Sequence, residues 1–394
     1  MKHIHVKGFK AAGIASGIKK SGKKDLGLIY SEVSANAAGL FTRNQVQAAP
    51  VRLDRERITS GICQAVIVNS GNANCCTGDQ GMRDARNMSR LAGSELEISE
   101  DMVLVASTGV IGEPLPIGKI EASIPELIRS LDAEGIHDFA EAIMTTDKVP
   151  KISFGQGHVD SEMFSVMGVA KGAGMIRPDM ATMLCFVCTD ANVGSKVLQE
   201  TLARVANRSL NRITIDGDTS TNDTLLIMAN GRSGATIQNA DHQHIFITVL
   251  ESVLMDLAKQ LVKDGEGVTK LVEVNVQGAS SDTDALKIAE TIAHSPLVKT
   301  AFFGEDANWG RIVGAVGRAG PAIDPDKIDV YFDTVQMVKT GVGRGKTVEI
   351  EATEVLKKPE FAVTVDLNMG HGSASMLTCD FSIDYIKINA DYRS

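Results

Sequence analysis

Residues 171–190 read KGAGMIRPDMATMLCFVCTD, and the break inside that stretch decides how the chain is read. Gly172, Gly174 and Pro178 make an irregular loop, because glycine adopts backbone angles closed to other residues and proline lacks an amide donor. At Ala181-Thr182 the text changes to an apolar, β-prone run, ATMLCFVCTDANV. A hydroxyl therefore stands at the first position of a predicted buried strand, behind a strained loop. That placement suits an N-terminal threonine nucleophile. The hydroxyl attacks the preceding carbonyl, the amide shifts to an ester, and water releases a new α-amine. With an ordinary pKa of about 7.7 to 8.0, such an amine can take the hydroxyl proton without a histidine. Lys171 would depress that pKa further wherever the fold brings it close. From spacing alone, a threonine that merely opens a strand is the commoner reading.

Two other places could carry chemistry. Ser107-Thr108-Gly109 follows the strand-like VLVA, and a glycine turn at a strand end can aim backbone N–H groups at a developing oxyanion. An ordinary polar turn accounts for the same residues. Asp264-Gly265-Glu266-Gly267 follows an amphipathic helix, with Gly265 as its stop and Glu266 left to reach a site. A solvated acidic loop is the plainer alternative.

Outward from these points, strands are predicted from Leu26 (LGLIYSEV), Ile62 (ICQAVIVNSG) and Val103 (VLVASTGVIG). Helical spacing covers Met82–Glu97 and Pro116–Leu131, and FAEAIMTTD opens a second αβ cycle that continues through ISFGQGHVDSEMFSVMGVAKGAG. KVLQETLARVANRSLNRI and LESVLMDLAKQLVKDGEG read as amphipathic helices. The last part mixes strands (VEVNVQG, IDVYFD) with the helix-and-turn segment IAETIAHSPLVKTAFFG and closes on a strand-like FSIDYIKINADYRS. Helices alternating with hairpin-length strands point to layered sheets between helices, an α+β arrangement, and not to simple βαβ winding.

At 394 residues the chain is long enough for two or three packed units. A net charge of -9 and only 4% aromatic residues argue against nucleic acid as a partner. Lys and Gly interrupt every apolar stretch of the opening segment, and nowhere does an apolar run reach the roughly 18 residues of a membrane span. The expected location is the cytoplasm. Six irregularly spaced cysteines fit reduced thiols better than a disulfide framework.

Taken together, SEVSANAAGLFTRNQVQAAPV, VNSGNANCCTGDQG, STGVIG, EAIMTTD, AKGAGMIRPDMATM, DGDTSTNDT, DGEG, FGEDANWGRI and the terminal INADYRS resemble, in order and nearly end to end, the glutamate N-acetyltransferase (ornithine acetyltransferase) family of arginine biosynthesis. The resemblance implies a layered αββα sandwich similar to autoprocessing amidases of the N-terminal-nucleophile type, with a smaller C-terminal α/β subdomain from about 275 to 394. It implies self-cleavage at Ala181-Thr182 into fragments 1–181 and 182–394, two copies of each forming a heterotetramer. Thr182 becomes the nucleophile, and Thr108 and Gly109 the oxyanion pair. Substrate contacts fall to a threonine of Thr145-Thr146, with Thr146 preferred, and to Lys171, Thr182, Glu266, Asn389 and Ser394. The implied reaction moves an acetyl group from N2-acetyl-L-ornithine to L-glutamate through an acetyl-threonine intermediate. It needs no cofactor and leaves open whether acetyl-CoA is a second donor. Three positions depart from the family pattern: Ala173 for Ser, Ser394 for Thr, and Asp179 for Asn, which sets a carboxylate three residues before the nucleophile.

Rival signals are weaker. Asp216-Gly217-Asp218-Thr219-Ser220 looks like the paired-aspartate motif of phosphatases but has Ser220 where Thr or Val belongs. GRGKT at 343–347 looks like a P-loop but has Thr340 where the spacing requires Gly, and reads better as a basic hairpin tip. Cys185 and Cys188 would face opposite sides of a strand, and no histidine set has ligand spacing, so no metal is expected. An N-terminal-nucleophile amidase or aminopeptidase that releases product to water is the alternative enzyme, and a binding module in which 171–190 is only a loop is the alternative outside catalysis.

Overall fold

The computed structural model describes residues 5–177 and 183–391. They form two compact units. The first takes the described residues up to Asn211 together with Asp218–Leu257, and the second takes Arg212–Gly217 and the described residues from Ala258. A boundary near 275 falls inside a strand, Leu271–Ala279, that pairs along its length on both sides.

In the first unit, β1 (Phe9–Ile14), β2 (Leu26–Phe41), β3 (Ile62–Asn72), β4 (Val103–Val110), β5 (Lys151–Val159), β6 (Glu162–Lys171), β7 (Leu184–Thr189) and β8 (Thr224–Ala229) join in the order β4-β3-β2-β8-β7-β6-β5, with β1 beside β2. The pairing of β2 with β3 slips between Tyr30 and Ala35, and such an irregularity bends a strand. Before the slip β2 runs beside β1, and after it beside β8. One apolar cluster accordingly joins Ile29, Val66, Val68 and Leu104 to Met167, Val169, Phe186 and Met228, so the sheet is folded over its own core.

Strand alternation sends Leu28, Ile67 and Val105 to the opposite face. There they form a second cluster with Met88, Ile120 and Leu127. Leu53, Met88, Ile120 and their neighbours come from α1 (Ala49–Arg57), α2 (Gly78–Leu96) and α3 (Ile117–Arg129). The inner core also takes Ile136 and Phe139 of α4 (Ile136–Ile143). The far face of β5 and β6 is covered by α6 (Ala240–Lys263), which follows α5 (Ser195–Ala206). A Cβ added at Gly168 would come 2.7 Å from Leu257, and one at Gly155 3.0 Å from Val249. These glycines let the helix lie close on the sheet. Helices, folded sheet and helices give the αββα layering.

Leu184, Phe186 and Cys188 of β7 belong to the inner core, while the buried Cys185 lies outside that cluster. The two cysteines thus face opposite sides. Phe186 meets Phe139 edge-on at 5.6 Å between centroids, and full burial of such a side chain stabilises by about 1.5 to 3 kcal/mol.

The second unit is a six-stranded sheet in the order β12-β11-β10-β13-β9-β14. Its strands are β9 (Leu271–Ala279), β10 (Asp329–Phe332), β11 (Val335–Lys339), β12 (Val342–Gly343), β13 (Glu360–Asp366) and β14 (Gly372–Cys379). With it come α7 (Asp282–Ala293), α8 (Pro296–Phe303), α9 (Trp309–Gly317), α10 (Lys346–Leu356) and α11 (Ile383–Asp391). Two expectations fail here. The closing segment is the helix α11, not a strand. Ser382 Oγ accepts the Tyr385 N–H at 3.2 Å, and Phe381 stacks on Tyr385 at 4.9 Å, so a serine cap and an i, i+4 aromatic pair override the β-branched isoleucines. The hairpin tip lies at Thr340-Gly341, where both residues have positive φ, and GRGKT instead runs from β12 into α10.

Candidate functional site

In the first unit β6 ends at Lys171, opposite Leu184, where β7 begins. On the other flank Thr224 opens β8, also opposite Leu184. Ala181 and Thr182 lie outside the described residues, just ahead of this junction in the chain, and Ser394 lies outside them as well.

Lys171 is buried, and its Nζ donates to Thr108 Oγ1 at 3.1 Å and to Thr145 Oγ1 at 2.8 Å. Three expected residues thus meet from three segments of the chain. Within the threonine pair it is Thr145 that takes this bond. An ammonium can only donate, so each hydroxyl keeps its own hydrogen for another acceptor.

The Thr108-Gly109 turn is built by pairing with β3, which sets Ser70 opposite Thr108 and Gly71 opposite Gly109. Gly109 has φ +134°, and a Cβ there would lie 2.3 Å from the Gly71 carbonyl carbon. Only glycine fits. Asn222 fastens the turn from behind, its Nδ2 donating to Ser107 O at 2.8 Å and to Ala73 O at 2.7 Å.

Lys171 is held from below by Asp147. Its carboxylate accepts Lys151 Nζ at 2.6 Å, Gly172 N at 2.7 Å and Thr145 N at 2.9 Å, and lies 3.9 Å from Lys171 Nζ. Burial alone would raise the Asp147 pKa, but the charges of Lys171 and Lys151 and these hydrogen bonds outweigh it and hold the carboxyl below the usual range. Lys19 belongs to the same electrostatic group: burial first, and then the charge of Lys171, bring its pKa down to about 8 against the pull of Asp25. The Lys19 side chain rests near Gly71, where a Cβ would meet it at 3.1 Å. Asp25 holds its loop by accepting Ser16 N at 2.6 Å and Lys19 N at 2.8 Å.

In the second unit Glu266 is not left free. It is 6% exposed and accepts Asn389 Nδ2 at 2.9 Å. The left-handed residue of its loop is Gly267, φ +67°, and not Gly265; a Cβ at Gly267 would sit 2.3 Å from Tyr385 N. Close approach of α11 therefore depends on that glycine, and it brings two expected substrate residues together. Asp216 takes a long hydrogen bond from Tyr385 Oη, 3.4 Å. Among the described residues no group of three or more His, Cys, Asp and Glu side chains could hold a metal ion, and no helix is long and apolar enough to cross a membrane.

A sequence profile described as the ArgJ family matches residues 10–394. The chain belongs to the ArgJ family. It is 52% identical over 393 residues to the arginine biosynthesis bifunctional protein ArgJ of Geobacter sulfurreducens, covering 99% of this chain and all of that one. The crystal structure of the Bacillus halodurans ArgJ protein is 42% identical and covers 52% of this chain and 96% of its own, with a TM-score of 0.49. The Mycobacterium tuberculosis ornithine acetyltransferase, solved with ornithine, is 38% identical over 45% of this chain and 97% of its own, with a TM-score of 0.40.

In this ArgJ family member, sequence reasoning missed Asp147, Lys151 and Lys19. EAIMTTD ends on Asp147, so one partner was in view. What was absent was any sign that two lysines converge on it from different positions along the fold.

Proposed function

We propose that the chain transfers an acetyl group from N2-acetyl-L-ornithine to L-glutamate through an acetyl ester of Thr182, after cutting itself between Ala181 and Thr182. Membership of the ArgJ family makes it an acetyltransferase of arginine biosynthesis. The observation that carries the finer reading is the Lys171 ammonium joining Thr108 and Thr145 at the strand end that faces the start of β7. The steps balance as follows. In maturation Thr182 Oγ bonds to the Ala181 carbonyl carbon, the C–N bond breaks with the hydroxyl proton passing to nitrogen, and water then hydrolyses the ester. In turnover Thr182 Oγ takes the acetyl group and the α-nitrogen of ornithine leaves with the proton. The glutamate amine next attacks the acetyl ester and returns the proton to Oγ.

Thr108 Oγ–H and the Gly109 N–H would serve the tetrahedral oxyanion, each such donor being worth about 2.7 to 4 kcal/mol of barrier. Thr145, Lys171, Glu266 and Asn389 are assigned to substrate binding, as is Ser394 beyond the described residues. The transfer needs no cofactor, since the acyl group passes only between a hydroxyl and amines. A heterotetramer of two cut chains and a cytoplasmic site of action complete the reading.

Denaturing gels and an acetyl-transfer assay test it together. Wild type should give two fragments, one beginning at Thr182, with acetylglutamate formed only when glutamate is present. Thr182→Ala should abolish both cutting and transfer. Acetate release independent of glutamate would make the enzyme an amidase instead, and full-length protein that still transfers acetyl would sink the self-cutting mechanism. Replacing N-acetylornithine by acetyl-CoA in the same assay reads whether a second donor is used.

A further inference from the structure

Cys75 and Cys76 stand side by side in the loop between β3 and α2, with their sulfurs 3.8 Å apart. Neighbours on an extended chain send their side chains to opposite sides. Here Asn74 has φ +46° and Cys76 φ +58°, left-handed angles that residues other than glycine seldom adopt, and the turn they make sets both thiols on one side. Asn74 fastens that turn. Its N–H donates to Asn72 Oδ1 at 2.8 Å, its Nδ2 to Gly81 O at 2.9 Å, and its Oδ1 accepts the Thr77 hydroxyl at 2.8 Å. Strained backbone persists only where its surroundings over-determine it, and it gathers at switches and ligand clamps.

The two thiols differ in access. Cys75 is 1% exposed, whereas Cys76 is the one exposed cysteine among the described residues. Cys76 lines a cleft of about 420 Å3 together with Gln47, Arg52, Asn74 and Thr77. Arg52 is the charged residue of that lining, so a small carboxylate-bearing molecule is the kind of visitor the cleft attracts.

We propose that Cys75 and Cys76 are a modification site, closing to a reversible vicinal disulfide in reaction with an anionic low-molecular-weight disulfide of the glutathione disulfide class, and that closure turns acetyl transfer down. The exposed Cys76 loses its proton and its thiolate attacks one sulfur of the small disulfide. That S–S bond breaks, and the first small thiolate leaves and takes up the proton. Cys75 then loses its proton and attacks the Cys76 sulfur, and the second small thiolate leaves with that proton. The cysteine pair is oxidised by two electrons and the small disulfide is reduced to two thiols. Closure brings the sulfurs from 3.8 Å to about 2.05 Å. Adjacent Cα atoms lie about 3.8 Å apart across a trans peptide, against about 4.4 Å or more in ordinary disulfides. The ring is therefore tight, and excess thiol reopens it.

The peptide between the two cysteines must turn as the ring closes. Its carbonyl, Cys75 O, accepts Gly112 N at 3.0 Å. Beside it Ala73 N donates to Val110 O at 2.9 Å, and Ala73 O shares Asn222 Nδ2 with Ser107 O. Turning the Cys75 carbonyl releases the chain just after the Thr108-Gly109 turn. This effect on turnover rests on the oxyanion role proposed above, whereas the disulfide itself does not.

The test equilibrates reduced full-length protein in buffers of rising glutathione disulfide to glutathione ratio. Each sample is divided between an acetyl-transfer assay and alkylation with iodoacetamide followed by peptide mass mapping. The peptide holding Cys75 and Cys76 should become lighter by two hydrogens and closed to alkylation at both residues. In step with it kcat should fall by about tenfold or more, as small displacements of catalytic groups cost, and return in excess dithiothreitol. Cys76→Ser should keep the kcat of reduced wild type and lose the response. Both cysteines still open to alkylation, or Cys76 halted as a mixed disulfide with glutathione, overturns the disulfide. A closed disulfide with unchanged kcat overturns the switch. The mass reading needs no acetyl transfer, so a chain without that activity would sink the proposed reaction while the disulfide is still decided by mass.

Discussion

Asp147→Asn tests how much the buried Asp147 carboxylate contributes to holding Lys151 and Lys171. Lys151 and Asp147 side chains are both 0% exposed and 2.6 Å apart. The substitution keeps an acceptor for Thr145 N or Gly172 N but takes the Asp147 charge away from the buried Lys151 ammonium. Breaking such a pair costs about 3 to 5 kcal/mol. At about 2 to 4 °C per kcal/mol for a unit of this size, Tm should fall by about 6 to 20 °C. Adding Lys151→Met should recover much of the loss, because an apolar replacement of a buried pair is often neutral or better.

The pH dependence follows from the same group. A carboxyl held below its unfolded pKa of about 3.9 stabilises the fold above that value and loses the contribution as pH drops through the folded pKa. The gap between wild type and Asp147→Asn should therefore narrow below about pH 4. Thermal unfolding followed by circular dichroism from pH 3 to 8 measures both effects. A Tm within 1 °C of wild type at pH 7, with no difference in the acid profile, would refute the reasoning.

Gly109→Ala should lower kcat/KM by about 100-fold or more, since a side chain 2.3 Å from the Gly71 backbone must displace the turn that aims the oxyanion donors; steady-state kinetics check it, and near wild-type turnover would remove Gly109 from that role. Lys19, brought down to about 8, is charged in folded and unfolded chains below that pH but only in the unfolded chain from there to about 10.4. The unfolded chain then binds more protons, so this group makes stability rise with pH across that window. Mass-spectrometric labelling of the Lys19 amine should have its midpoint near pH 8, and a midpoint above 10 would contradict its burial.

Periodicity placed most of the elements. The runs from Leu26, Ile62 and Val103 are strands and Ser195–Ala206 is a helix, because alternation and 3.6-residue spacing report which side of an element is buried. It failed at Ile383–Asp391, where Ile383 and Ile386 are 60% and 67% exposed. Their β-branched character suggested a strand, while the serine cap that starts the helix works through a single hydrogen bond. Residue patterns alone marked Thr108, Lys171 and Glu266 as candidates without deciding between a site and an ordinary turn or loop. The Thr145-Thr146 pair came only from the motif resemblance, and nothing in the text separated Thr145 from Thr146.

By itself the sequence determined the family, the layered αββα class and the presence of a buried strand in the run after Thr182, which is β7 from Leu184. These are local patterns or ordered motifs, and each can be read one segment at a time. Only the tertiary structure decided that Lys171 bonds both Thr108 and Thr145 and that Asp147 and Lys151 sit beneath it. Those groups come from positions up to 63 residues apart, as with Lys171 and Thr108. Strand register and the folding of the sheet at β2 bring them within hydrogen-bond distance, and pairing of that kind leaves no periodic signal in a single chain.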